Sequence, residues 1–72
     1  MAVGRNIEHM RKRRGLSLDD VARRAGISKP GLWQIEQGIS SPTVKTLEKI
    51  AHAFNVSVSE LVKEDAEALI VV

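Results

Sequence analysis

The chain has 72 residues, 28% of them charged, with 11 Lys or Arg against nine Asp or Glu and no cysteine. That length allows one domain with a modest core, and the lack of thiols excludes a disulfide framework or thiolate metal site and suits a reducing cytoplasm. No apolar run reaches the roughly 18 to 20 residues that span a bilayer, so no membrane partner is expected, and residues 1–4 are too short for a signal peptide.

Taken in order, residues 4–14 read as helix 1, with Ile7 and Met10 inward and Gly15 as the stop. Its last turns carry Arg11, Lys12, Arg13 and Arg14, where cations also favour the helix dipole, so a solvated basic face is one reading and a phosphate-binding face the other. Ser17 then caps helix 2, with Asp20 three residues on, and Leu18, Val21, Ala22 and Ala25 form its inward stripe until Gly26 ends it. Ile27 is an apolar plug for the turn, and Ser28 caps helix 3, whose inward residues are Leu32 and Ile35 and whose run closes at Gly38. Two helices joined by so short a turn cross steeply, and Ala22 and Gly26 are small where the backbones meet.

Residues 39–42 read as a loop. Thr43 is the expected cap of helix 4, with Ser41 and Pro42 at N1 the alternative, and Val44, Leu47, Ile50, Ala51 and Phe54 form its core stripe up to Asn55. Ser57 and Glu60 have the spacing of a capping box for a short helix 5 that carries Leu61 and Val62. The end of the chain, KEDAEALIVV, places three acids before the β-prone run Leu69, Ile70, Val71 and Val72. Residues 1–64 are thus expected to form the domain, and residues 65–72 an apolar tail that serves as a dimer contact, packs on the chain's own core or begins a linker.

Ala22, Gly26, Leu32 and Ile35 have the helix-turn-helix spacing. More narrowly, LSLDDVARRAGISKPGLWQIEQG followed by SPTVKTLEKIAHAFNVSVSELV resembles the lambda-repressor-like (Xre-type) family of DNA-binding domains over roughly Gly4 to Val62. The resemblance implies an all-α, compact five-helix bundle whose helices 2 and 3 are the helix-turn-helix. Its function would be that of a transcriptional regulator, a repressor or controller, reading an inverted-repeat site in double-stranded DNA as a homodimer. It also implies an ion pair between Arg11 and Glu36 that fastens helix 1 to helix 3.

In such a motif the second helix enters the major groove, and its early outward residues meet base edges. Here these are Lys29, Pro30, Trp33 and Gln34. Gln34 suits the N7 and N6 edge of adenine, and Lys29 suits guanine or a phosphate. For Trp33 three placements stand: on a thymine methyl, on a sugar and phosphate, or back over helix 2 at the rim of the core. Pro30 falls in the first turn, where its missing N–H is not needed. The family often has glutamine at the first residue of helix 2, and this chain has Leu18. Phosphate holding then falls to Ser17, Ser28, Arg11, Lys12, Arg13, Arg14 and Arg23.

The uneven charge agrees with this reading. Residues 1–38 hold eight cations and four acids, and residues 39–72 hold three and five, so the first half suits a polyanion and the second should face away from it. Two-fold contact through Leu61, Leu69, Ile70, Val71 and Val72 would achieve that. The competing reading is a protein-interaction module of antitoxin or coactivator type on the same fold. His9 and His52 have no metal-ligand spacing and the capping serines have structural work, so neither an enzyme, a metal, a cofactor nor a small-molecule ligand is expected.

Overall fold

Five helices fill residues 3–63, the part that the computed structural model describes: α1 (Val3–Arg13), α2 (Leu18–Ala25), α3 (Lys29–Glu36), α4 (Val44–Phe54) and α5 (Val58–Val62). No strand occurs among the described residues. Each helix sends at least one side chain into a single core: Ile7 from α1, Val21 from α2, Leu32 from α3, Ile50 and Phe54 from α4 and Leu61 from α5 are all fully buried. At about 1.5 to 3 kcal/mol for each large apolar side chain removed from water, this shared centre holds together helices too short to persist alone.

The helix ends follow from local chemistry. Ser17 accepts from the Asp20 amide at 3.0 Å while its own amide donates to the Asp20 carboxylate at 3.0 Å, closing a capping box on α2. Thr43, rather than Ser41, caps α4 by accepting from the Thr46 amide at 3.1 Å. At the other ends, Gly15, Gly26, Gly38 and Asn55 all take the left-handed conformation. Each is followed by an aliphatic residue whose amide reaches back five residues, as Leu16 does to the Arg11 carbonyl and Ile27 to the Ala22 carbonyl. Leu16, Ile27 and Val56 then pack on the core. Ile39 is the exception and stands 64% exposed.

Three expectations are corrected. Val44 is 70% exposed instead of joining the α4 stripe; steps of three residues drift round a helix of 3.6 per turn, which leaves it at the edge of the arc centred on Leu47 and Phe54. Ser57 makes no side-chain cap. Its hydroxyl pairs with that of Ser59 at 2.9 Å, and Glu60 turns to Lys63 at 3.7 Å. Leu61, expected at a dimer contact, is wholly enclosed by the chain's own core and offers nothing to a second copy. Leu69, Ile70, Val71 and Val72, with the domain boundary placed after residue 64, lie outside the described residues.

Asn6 was not singled out by sequence, yet it joins the two outermost helices. Its side-chain amide donates to the carbonyls of Leu61 at 2.9 Å and Lys63 at 2.8 Å, holding the last turn of α5 on α1. Replacing Asn6 with Ala is expected to lower stability by about 1 to 2 kcal/mol, the worth of two such bonds with one acceptor still open to water. Urea unfolding checks this, with the exposed neighbour change Arg5→Ala as the control; equal midpoints for the two variants would mean that the clasp contributes nothing.

Candidate nucleic-acid interface

The turn between α2 and α3 is built from Gly26, Ile27 and Ser28. Gly26 has φ of 71°, which glycine adopts at least cost and which redirects the chain after Ala25. Ala22 is almost fully buried in the core. Ser28 opens α3 by accepting from the Gly31 amide at 3.0 Å. A Cβ on Gly31 would come within 2.8 Å of that hydroxyl, so the glycine leaves the cap its room. Pro30 sits in the first turn, where no backbone donor is lost.

With Leu32, Ile35 and Glu36 turned inward, α3 presents Lys29, Pro30, Trp33 and Gln34 to solvent. Gln37, one turn beyond Trp33, continues the exposed row. Sequence reasoning passed over it because the helix was read only through its early turns; the four-residue step from Trp33 was the available signal. Trp33 is 45% exposed and is not one of the buried core residues. Lys29 is the only charge on this row, since Glu36, the other ionised residue of α3, is buried.

Glu36 is met by Arg11. The guanidinium forms a two-pronged pair, Nε to Oε2 at 2.8 Å and Nη2 to Oε1 at 3.1 Å, while Nη1 donates to the Leu16 carbonyl at 3.0 Å. The side chains are 12% and 1% exposed. The hydrogen bonds to Glu36 hold the Arg11 pKa above its ordinary value, against the opposing effect of burial. Gly4 brings α1 still nearer, because a Cβ there would overlap the Ile35 carbonyl oxygen and lie 3.0 Å from that of Glu36. The carboxyl end of α3 is therefore fastened to α1 at two points, one steric and one ionic.

These contacts redistribute the cations expected on phosphate. Arg11 directs three of its five N–H donors to Glu36 and Leu16 and is largely buried. Arg14 donates to the Phe54 carbonyl and lies over the Phe54 ring, 5.4 Å from its centre, at the carboxyl end of α4. Lys12 reaches Glu8 at 3.5 Å, and Arg23 reaches Asp20 at 3.0 Å and Asp19 at 3.9 Å. Such exposed pairs are screened by water and salt and release their cations readily. Arg13 is exposed, with no ion pair among the described residues.

The amino ends of the two motif helices differ in charge. At α2, Ser17 is spent on the capping box, and Asp19 and Asp20 occupy the first turn. The Ser17 amide, then its hydroxyl, holds the Asp20 pKa below the usual carboxylate range. The stabilisation this gives is present above that range and lost as pH falls through the lowered value. At α3 the first turn contains no acid, and the Ser28 hydroxyl, which accepts in the cap, still has a proton to donate. An anion is thus repelled from the first end and tolerated at the second.

Among the described residues no cluster of His, Cys, Asp or Glu could hold a metal ion, and no helix is long and apolar enough to cross a membrane. Residues 7–61 match the family model HTH_3, described as Helix-turn-helix. The HTH-type transcriptional regulator SinR of Bacillus subtilis (strain 168) is 36% identical over 66 residues, covering 90% of this chain and 60% of SinR. SutR of Escherichia coli (strain K12), also an HTH-type transcriptional regulator, is 44% identical over 62 residues, covering 86% of this chain and 35% of SutR. The chain therefore spans less than two thirds of the length of either relative. A crystal structure of SinR in complex with DNA superposes with a TM-score of 0.79 at 35% identity, covering 85% of this chain and 98% of that one.

Proposed function

We propose a function on the premise that the chain belongs to the HTH_3 helix-turn-helix family, the lambda-repressor-like (Xre) type, which the match over residues 7–61 establishes. It is a sequence-specific regulator of transcription that binds double-stranded DNA through α3. The observation that carries this is the exposed row Lys29, Pro30, Trp33, Gln34 and Gln37 on a helix whose inner face and carboxyl end are held by the rest of the fold. Lys29 and Gln34 bring hydrogen bonding to base edges. Ser28, Lys12, Arg13 and Arg23 are assigned to the phosphate backbone. The molecule is a binding protein rather than an enzyme and would work in the cytoplasm, as a repressor or controller. Because one helix reads few base pairs, two copies on an inverted repeat, with α3 helices about 34 Å apart, make the natural complex.

Selection from random duplexes at several salt concentrations tests the proposal. An enriched motif with two-fold symmetry is expected, and with about six phosphate contacts per dimer log K should fall against log salt with a slope near −5. Arg13→Ala should flatten the slope without changing the motif, whereas Gln34→Ala should relax one base-pair position by about 1 to 3 kcal/mol. A slope near zero with no enriched motif would leave the exposed row as a protein-docking surface and the proposal wrong.

A further inference from the structure

Among the described residues, Trp33, Ile39 and Val44 are the large hydrophobics left exposed, and Trp33 alone stands on α3. Three residues before it is Pro30, also exposed and without an N–H, so the two share one side of the helix. The middle of the proposed reading surface is therefore apolar, with Lys29 before it and Gln34 and Gln37 after it. In the major groove, base pairs show donors and acceptors almost throughout, and the apolar group they display is the C5-methyl of thymine. Beside that methyl lies the O4 acceptor. An indole has the matching pair of features, a broad apolar ring and one N–H donor at its edge.

We infer that Trp33, flanked by Pro30, reads the C5-methyl group of a thymine in each half-site. The inference rests on the proposed DNA-binding function and deepens it, adding a specificity-determining contact between an apolar ring and a methyl group. It also separates Trp33 from Lys29 and Gln34, which meet base edges through hydrogen bonds.

The test uses the duplex obtained by selection, with each conserved thymine replaced in turn by uracil, which removes the methyl and leaves the hydrogen-bonding edge intact. A uracil in one half-site alone should weaken binding by about fourfold, the worth of one methyl group kept from water. With Trp33→Ala, and with Trp33→Gln as a second variant, the thymine and uracil duplexes should bind alike. Both variants should fold, because Trp33 is not a core residue, and thermal unfolding verifies that. A motif without a fixed thymine overturns the inference, as does a wild-type protein indifferent to every uracil or a Trp33→Ala protein that still shows the fourfold loss. In those three outcomes the chain still selects a DNA sequence, so the regulator assignment stands. Failure to enrich any sequence would sink both.

Discussion

Gly4→Ala is expected to destabilise the protein by about 3 kcal/mol or more, at the upper end of what overpacking costs. Helix propensity alone points the other way, since alanine is better than glycine inside a helix by about 1 kcal/mol. The clash decides the sign. The new methyl would overlap the Ile35 carbonyl oxygen, and that oxygen belongs to backbone in the last turn of α3, which cannot rotate aside as a side chain would. Either α1 lifts away and loosens Ile7, or the end of α3 unwinds. A domain of 72 residues has a total stability of roughly 4 to 11 kcal/mol, so the loss is a large share of it. Urea unfolding of Gly4→Ala beside Arg5→Ala measures it. A Gly4→Ala midpoint at or above the wild-type value would show that α1 and α3 stand further apart than described.

Arg11→Met should cost about 3 to 5 kcal/mol, because it strands the Glu36 carboxylate in a site where 1% of that side chain meets water. Replacing both partners, Arg11→Met with Glu36→Met, should recover most of this loss, since an apolar pair of similar volume avoids the desolvation of both ions. Some deficit remains in the double variant, as the Leu16 carbonyl also loses its donor. The coupling energy from a double-mutant cycle in urea is the readout. If the double variant is as unstable as Arg11→Met, the pair is not the source of the loss. The same pair holds the carboxyl end of α3, so the destabilised single variant should also lose DNA affinity at temperatures where it is still folded.

What was legible in the sequence is what lies close along the chain. The capping box of Ser17 and Asp20, the caps at Ser28 and Thr43 and the left-handed stops at Gly26 and Asn55 each involve residues within a few positions of one another. The Ser57 box failed although its spacing was right: the Ser57 hydroxyl pairs with that of Ser59 and Glu60 pairs with Lys63. Gly4 and Asn6 were missed for a different reason. Their partners, at positions 35 and 36 and at 61 and 63, are remote in sequence, and neither glycine nor asparagine in a first turn signals a distant contact. Arg11 and Glu36 are also well separated along the chain, and there family resemblance supplied what spacing could not. On the candidate site, outward register identified Lys29 to Gln34, but it could not divide the basic run at Arg11 to Arg14, whose members prove to face different neighbours.

The clasp between Asn6 and the end of α5 has a consequence for how the protein is made. Of these five helices the earliest in the chain is the last to be completed, because the Asn6 side-chain amide waits for carbonyls 55 and 57 residues downstream and the helix's packing waits for Leu61. Helices α2 to α4 can assemble on one another as they emerge, but at roughly 5 to 20 residues per second Ile7 stays without its full enclosure for several seconds of translation. A ribosome-bound chain halted before Lys63 has left the exit tunnel should remain sensitive to protease within α1, and become resistant in one step once that lysine is free.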